Sequence, residues 1–182
     1  MAHEKIIEKF NLEGKEIIFR YPKLKDLEGL LDIINSLVEE KAMLTVQKKK
    51  TKREEKKWFL NKLKKIGSKK AISLVVQIEE KAMGSVFIEK GERISEDHAG
   101  KLGISLRKEI RGKGIGKKLL NEAIKEAKKI LKIKIVRLRT MGNNKIAQNF
   151  YKKSGFKEIG RIKNGFTYYG KYVDEVIMVK YI

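Results

Sequence analysis

The chain reads Ile110-Arg-Gly-Lys-Gly-Ile-Gly-Lys-Lys-Leu-Leu120 where a short strand gives way to an amphipathic helix. The glycines predict a tight turn whose backbone can approach a ligand, because no side chain stands in the way. The first amides of a helix have no acceptor within the helix, and the helix dipole adds about half a positive charge there. Since Arg111, Lys113, Lys117 and Lys118 surround it, we expect the turn to bind an anion such as a phosphate.

Two familiar phosphate-binding motifs do not fit this turn. A P-loop with Lys117 as its lysine needs glycine at position 111 and serine or threonine at position 118, where the chain has Arg111 and Lys118. A dinucleotide-binding fingerprint that begins at Gly112 needs a third glycine at position 117 and an acidic residue at a strand end about 20 residues later. Both are missing. A basic helix start whose glycines serve only the turn stays open as an alternative.

Helical and strand periodicities alternate along the rest of the chain. Helical spacing of apolar residues is found at 24–38, 52–66, 114–131 and 144–153, and β-favouring runs are found at 16–20, 71–78, 82–88, 98–106, 132–140, 156–161 and 174–181. The resulting order, β-α-α-β-β-β-α-β-α-β-β, predicts an α/β fold. We expect a mixed, mostly antiparallel central sheet with helices on both faces.

Length and composition exclude several classes of protein. With 182 residues, of which 41% are hydrophobic, the chain is expected to fold as a single domain. It has no cysteine and two histidines, which excludes a disulfide framework, a thiolate zinc site and a cysteine nucleophile, and we expect no metal. No apolar run approaches 18 residues and no signal peptide is evident, so we expect a cytoplasmic protein without a membrane partner.

The charge is strongly basic. Lysine and arginine number 44 against 23 acidic residues, a net charge of +21, so RNA, DNA, an acidic membrane surface and a smaller polyanion all have to be considered. Residues 47–58 concentrate this charge beside Trp58 and could bind nucleic acid. The alternative is a solvated helix face with Trp58 turned to the core. The lysine-rich, cysteine-free composition is also typical of hyperthermophile proteins, which needs no ligand.

A second motif follows the glycine turn at a characteristic separation. The pattern Arg111-x-x-Gly114-x-Gly116, followed by Asn144-x-x-Ala147-x-x-Phe150-Tyr151-x-x-x-Gly155-Phe156, resembles the two signature segments of the GCN5-related N-acetyltransferase (GNAT) superfamily. The resemblance extends from Glu16 to Tyr181, which leaves residues 1–12 as an N-terminal extension of one domain, 1–182. The closing segment, 170–178, resembles members that acetylate ribosomal-protein N-termini, polyamines or small amines.

This resemblance implies an enzyme that transfers an acetyl group from acetyl-coenzyme A to an amine by direct attack. The implied cofactor-binding residues are Ile104, Ser105 and Leu106 beside the pantetheine arm, Arg111, Gly112, Lys113, Gly114, Ile115, Gly116 and Lys117 around the pyrophosphate, and Asn144, Ala147 and Tyr151 in the second motif. Tyr151 matches the tyrosine that protonates the departing thiolate. A tyrosine of pKa about 10 can donate to a thiolate whose conjugate acid has a pKa of about 8.5.

The general base is the least determined part of the site. At pH 7 a lysine-like amine of pKa about 10.4 is neutral in only about one molecule in 2,500, so such an acceptor needs a base. Many members of the superfamily place a glutamate on the strand before the turn, but the corresponding position here is near Gly100. His98 is a candidate catalytic base because of its intrinsic pKa. Glu79, Glu89 and a chain of waters are further alternatives.

The expected acceptor is a small-molecule amine, a polyamine or a protein N-terminus. Tyr168, Tyr169 and Tyr172 lie where a late loop could cover that amine, although packing of the final hairpin explains them equally well. A member without catalytic activity that binds coenzyme A or RNA is the alternative function. The sequence leaves both a monomer and a homodimer open.

Overall fold

The computed structural model describes residues 5–182 and contains one eight-stranded sheet with two pairs of helices. The strands are β1 (Ile6–Leu12), β2 (Lys15–Arg20), β3 (Ala71–Ile78), β4 (Lys81–Lys90), β5 (Ala99–Leu106), β6 (Ile135–Met141), β7 (Lys157–Tyr168) and β8 (Lys171–Tyr181). The helices are α1 (Leu27–Glu39), α2 (Lys52–Gly67), α3 (Ile115–Glu126) and α4 (Lys145–Lys153). The mixed α/β class is confirmed, as is the predicted order of elements from β2 onwards, and β1 precedes them as an additional strand.

The strands are arranged in the order β1-β2-β3-β4-β5-β6-β8-β7, and β5–β6 is the parallel pair in this otherwise antiparallel sheet. A parallel pair needs a crossover connection, which α3 supplies between β5 and β6. β3 is buried along its whole length because helices cover both of its faces.

Helices α1 and α2 cover one face of the sheet. The capping box of Thr51 and Glu54 starts α2 at Lys52. Phe59 of α2 and Ile33 of α1 form a buried cluster with Val75 of β3. A Cβ on Gly29 would stand 2.9 Å from the Cβ of Ala82, so the glycine lets α1 approach β4 closely.

The other face of the sheet carries the larger core. Leu119 and Leu120 of α3 pack with Leu74 and Val76 of β3, which alternate with Val75 along the strand. Tyr151 of α4 belongs to the same cluster. The two motifs of the sequence therefore lie on helices that share one core, opposite α1 and α2.

The boundaries differ from the predicted ones in two places. Residues 6–12 of the predicted extension 1–12 are not an appendage, because they form β1 and pair antiparallel with β2, while residues 1–4 lie outside the described part of the chain. The final hairpin is longer than predicted, since β7 continues to Tyr168 and β8 begins at Lys171. A left-handed Gly170 closes its turn, with φ of +79°.

In residues 5–182, none of the helices is long and apolar enough to cross a membrane. The same residues contain no group of three or more histidine or acidic side chains that could hold a metal ion.

Candidate active site

A gap in the sheet lies between β5 and β6. The two strands pair only where residues 99–101 of β5 meet residues 135–137 of β6. Beyond this point residues 102–106 pair with β4 alone, while β6 continues beside β8. The edge of β5 that faces the gap is therefore free to accept an extended ligand as a further strand. Ile104, Ser105 and Leu106, predicted to contact the pantetheine arm, form the end of this free edge.

The glycine turn follows β5 after one short 3-10 turn at Lys108–Ile110. Gly112 and Gly114 have φ of +74° and +79°, a backbone conformation that other residues rarely adopt, and the space where a Cβ would project is open for at least 4 Å. Gly114 is the N-cap of α3, so the amides of Ile115 and Gly116 are the first of the helix and have no acceptor within it. The turn fits a diphosphate, since amides and the helix dipole face open space.

Cationic side chains surround the turn. Arg111 donates from Nε to the carbonyl oxygen of Leu106 at 2.9 Å and pairs with Glu40 at the end of α1. The Nζ of Lys113 lies 2.5 Å from a carboxylate oxygen of Glu13. Lys118 pairs with Glu8 of β1 at 3.2 Å, and Lys117 is exposed. The sequence analysis did not foresee these carboxylates, because they come from β1, the turn after it and the C-terminal end of α1, far away along the chain.

Across the gap, Asn144 caps α4. Its Oδ1 accepts a hydrogen bond from the amide of Ala147 at 3.0 Å, so the amide of Ala147 is engaged within the helix start. Gln148 donates from Nε2 to the carbonyl oxygens of Met141 and Gly142, at 2.9 and 3.0 Å, and fixes α4 to the end of β6. The Nδ2 group of Asn144 keeps most of its capacity to donate, because its contact with the carbonyl oxygen of Met43 is long, at 3.5 Å.

Tyr151 is buried between two aromatic rings. Its ring centroid lies 5.2 Å from that of Phe150 and 5.7 Å from that of Phe156, and burial raises its pKa to about 12. Its hydroxyl forms no hydrogen bond within residues 5–182. The hydroxyl oxygen is nevertheless not fully buried, because the fully buried side-chain polar atom without a partner among those residues is Arg107 Nε. A tyrosine in this state keeps its proton at neutral pH and can donate it.

His98 is not brought to this site. The side chain is exposed in the turn before β5, and the paired segment 99–101 stands between it and the gap. At about 3.3 Å per residue, His98 is roughly 26 Å from Leu106 at the open end of the strand. The separation arises because the strand is extended, so closeness in sequence does not become closeness in space.

The two glutamates considered as alternative catalytic bases both form ion pairs with lysines. Glu79 lies in the exposed turn between β3 and β4 and pairs with Lys15 at 2.9 Å. Burial alone would raise the pKa of Glu89, but hydrogen bonds from Lys62 and Lys65 hold it below its ordinary value. A carboxylate neutralised in this way is a poor base.

The tip of the last hairpin is fastened over the α1 face of the sheet. The hydroxyl of Tyr168 donates to the carbonyl oxygen of Lys41, and that of Tyr169 donates to the carbonyl oxygen of Val38 at 3.3 Å. Gln47 accepts a hydrogen bond from the amide of Tyr169 at 2.7 Å. Tyr172 is exposed. The hairpin tip and the segment after α1 therefore form one wall near the gap.

Trp58 is not turned to the core. Its neighbour Phe59 occupies the core position, while Trp58 remains 43% exposed and packs edge-on against Phe87 at 6.2 Å. Lys62 lies beside both rings, with its Nζ 4.0 Å from the centroid of Phe87. A Cβ on Gly103 would stand 2.4 Å from the ring of Phe87, so the absence of a side chain at Gly103 leaves room for this ring to pack on β5.

Glu55, which the sequence analysis did not single out, is 7% exposed on α2. It precedes Phe59 by four residues and Lys62 by seven, and both of these are buried as well. An acidic residue in line with the apolar face of a helix is the signal that could have revealed it. The helical spacing of apolar residues predicts α2 but does not reveal a charged residue on the same face.

The family model of the acetyltransferase (GNAT) family matches residues 34–156, about two thirds of the chain, which include the gap, the glycine turn and α4. No curated protein sequence matches the chain significantly.

Solved structures share the fold at low sequence identity. The acetyltransferase of the GNAT family from Streptococcus pneumoniae has a TM-score of 0.81 and 28% identity, over 91% of this chain and 99% of that one. Ribosomal-protein-alanine N-acetyltransferase from Brucella melitensis has a TM-score of 0.81 and 24% identity, over 90% and 99% of the two chains. A phosphinothricin acetyltransferase from Sinorhizobium meliloti, solved with acetyl-CoA, has a TM-score of 0.78 and 19% identity, over 91% and 88%.

Proposed function

Because this chain belongs to the acetyltransferase (GNAT) family and is therefore an acetyl-CoA-dependent acyltransferase, we propose that its acceptor is a primary amine. The acceptor would be a small-molecule amine, a polyamine or a protein N-terminus. Attack by the amine on the thioester would be direct, since the chain has no cysteine to carry the acetyl group.

One observation carries the proposal: the glycine turn at the start of α3 opens directly beside the free edge of β5. The turn offers unpartnered amides for a diphosphate, and residues 104–106 offer unpaired backbone for an extended arm. These two features suit the two ends of one ligand that carries a phosphate group and a long polar chain. Acetyl-CoA has this form and supplies the acetyl thioester.

The residues of the second motif would act on the other side of the gap. Asn144 has Nδ2 available for the extended arm, since its Oδ1 caps α4. Tyr151 is protonated at neutral pH and would donate its proton to the leaving sulfur. Its fixed position between Phe150 and Phe156 would direct the hydroxyl without a loss of side-chain freedom on binding.

The continuous eight-stranded sheet supports a single acyltransferase domain over residues 1–182. Similarity in fold to a ribosomal-protein-alanine N-acetyltransferase supports a protein N-terminus as one acceptor to be tested, together with a polyamine and a simple alkylamine.

The test is calorimetric titration with acetyl-CoA, followed by an acceptor panel. Purified protein free of nucleic acid is titrated with acetyl-CoA, and adenosine 3′,5′-bisphosphate serves as the control for simple attraction of an anion to a basic protein. Free thiol release is then measured with a peptide that has N-terminal alanine, with spermidine and with butylamine, and the acetylated product is identified by mass.

We expect stoichiometric, micromolar binding that is clearly tighter than the control, and thiol release with at least one amine. Binding no tighter than the control would overturn the assignment of the glycine turn. Tight binding with no acetylation of any amine would overturn the acceptor class.

A further inference from the structure

Glu55 differs from the other buried acids that the structure describes. Three of the four are paired with a cation: Asp26 with Arg20, Glu126 with Lys5, and Glu175 with Arg139. The side chain of Glu55 forms no ion pair and no hydrogen bond with any residue in 5–182, although the residue is only 7% exposed. Burying a carboxylate without a partner is unfavourable, so its presence calls for an explanation.

The carboxylate of Glu55 is largely desolvated but keeps some contact with solvent. Burial raises its pKa, and the charge of Lys50 opposes this effect only in part. Its oxygens retain some contact with solvent. In the described part of the chain, the fully buried side-chain polar atom that lacks a hydrogen-bond partner is Arg107 Nε, and the Glu55 oxygens, which also lack a partner, are therefore not fully buried. A raised pKa and access from outside are the two properties that a proton acceptor needs.

The register of α2 on the sheet places Glu55 level with the gap along the strand direction. Lys62 Nζ lies 2.6 Å from Glu89, and Trp58 packs on Phe87, so α2 and β4 run in the same direction. Glu55 precedes Trp58 by three residues, about 4.5 Å along the helix, which corresponds to between one and two strand residues before Phe87. This position is level with Ser85.

Ser85 connects this position to the free edge of β5. It pairs with Val75 on one side, and Val75 packs in one cluster with Phe59, which lies one turn from Glu55 on the same face of α2. On its other side Ser85 pairs with Ser105 of β5. Ser105 belongs to the stretch that has separated from β6. Glu55 therefore lies on the α1–α2 face of the sheet, level along the strands with the part of β5 where the extended arm of acetyl-CoA is proposed to lie.

We infer that Glu55 is a further catalytic residue, which binds the ammonium group of the acceptor and removes its proton. The inference rests on the proposed function, because it needs an amine acceptor. The first proton passes from the ammonium nitrogen to the Glu55 carboxylate; the nitrogen–carbon bond then forms as the carbon–sulfur bond breaks; and the sulfur leaves with its electron pair and takes a proton from Tyr151. The second proton leaves the new amide nitrogen and passes through water to the Tyr151 phenolate, and Glu55 releases its proton to water, so that one proton is set free in each cycle.

Glu55 is better able to bind an ammonium group than Glu89 and Glu175 are, because those two acids are already paired with cations. Glu89 is already neutralised by Lys62 and Lys65, and Glu175 by Arg139 at 2.7 Å. Aliphatic amines are almost fully charged at neutral pH, so they both need a base and match an unpaired carboxylate. The inferred acceptor class is therefore an aliphatic amine that enters as a cation.

The experiment compares Glu55→Gln with the wild-type chain. The substitution keeps the size of the side chain and removes the charge and the basicity. For an amine that the wild type acetylates, kcat/KM at pH 7 is expected to fall about 100-fold, within the usual range for loss of a general base. The loss should shrink as the assay pH approaches the pKa of that amine, because the free amine then needs no base. Affinity for acetyl-CoA, measured by calorimetry, should not change.

Glu92→Gln is the matched control, since the side chain of Glu92 is 84% exposed and the chemical change is identical. Its kcat/KM is expected to equal that of the wild type. Unchanged kcat/KM in Glu55→Gln, or a loss that is the same at every pH, would overturn the inference.

A wild-type chain that binds acetyl-CoA and acetylates no amine would contradict the proposed function, and the inference about Glu55 with it. Thermal unfolding then tells whether the carboxylate is structural. A higher melting temperature for Glu55→Gln would identify Glu55 as an unpaired charge held for some other cationic ligand, whereas a lower one would identify it as a structural acceptor.

Discussion

Arg111 and Glu40 form an ion pair that joins the glycine turn after β5 to the end of α1. The same guanidinium donates to the carbonyl oxygen of Leu106, the last residue of β5. Arg111 is thus shared between the turn proposed to hold the diphosphate and the helix that covers the opposite face of the sheet. A phosphate group that binds Arg111 in place of Glu40 would break this link between the glycine turn and the end of α1.

Glu40→Gln is expected to tighten acetyl-CoA binding by about two- to fivefold. The reason is that Glu40 competes with a phosphate for Arg111, and a partly exposed ion pair contributes about 0.2–1 kcal/mol. Isothermal titration calorimetry at low and at physiological salt measures the effect, which should be smaller at the higher salt concentration. Weaker binding in Glu40→Gln would mean that Glu40 positions Arg111 for the ligand instead of competing with it.

Gly114→Ala is expected to weaken acetyl-CoA binding at least tenfold. The residue needs φ of +79°, which costs alanine about 1–2 kcal/mol, and relaxation of this strain would turn the amides of the helix start away from the diphosphate.

Gly170→Ala provides the control for Gly114→Ala. Gly170 has the same φ and equally open surroundings, but it lies in the turn of the last hairpin. Both variants should lose similar thermal stability, and only Gly114→Ala should lose affinity. Equal affinities would show that the conformation of the turn does not matter for binding.

Tyr151→Phe is expected to lower kcat about 100-fold without changing the affinity for acetyl-CoA, because the hydroxyl is needed only when the sulfur leaves. Burial raises the pKa of Tyr151 to about 12, so the wild-type enzyme should show no loss of activity from this group between pH 7 and 10. Stopped-flow measurement of thiol release across this range gives both results. A fall in activity near pH 9 to 10 that Tyr151→Phe abolishes would instead indicate a hydroxyl that ionises in the working range.

The fold and the local geometry of the two motifs were accessible from sequence because they depend on local signals. The turn at Gly112 and Gly114 requires a left-handed backbone, and Asn144 caps the helix that carries Tyr151. Such requirements act over a few residues and leave a pattern that can be recognised.

The proposed acceptor side was less accessible because it is assembled from distant segments. His98 is close to β5 in sequence but stands beyond the closed end of the gap, and Trp58 and Phe59 are neighbours of which only Phe59 faces the core. The absence of a partner for Glu55 cannot be read from a sequence, because it depends on which lysines from other elements reach it. Ion pairing at this site is a property of the tertiary structure.

Glu55 and Glu89 are expected to have opposite effects on stability when each is changed to glutamine. Burial raises the pKa of Glu55, so its ionisation in the folded state is unfavourable. Glu55→Gln should therefore raise the melting temperature by a few degrees at pH 7–8, and the gain should disappear as the pH falls towards about 4, where the unfolded chain is also protonated.

Glu89 shows the reverse dependence. Burial alone would raise its pKa, but Lys62 and Lys65 hold it low, so its stabilising contribution is present above a pH of about 4.3 and is lost as the pH falls through its folded-state value. Glu89→Gln should lower the melting temperature at neutral pH, because the ammonium of Lys62 is left buried without its partner, and Lys62→Met in the same chain should restore much of the loss. Thermal unfolding followed by circular dichroism from pH 4 to 8 measures both variants. If both lowered the melting temperature at neutral pH, Glu55 would have a stabilising partner, and its availability to an acceptor amine would be disproved.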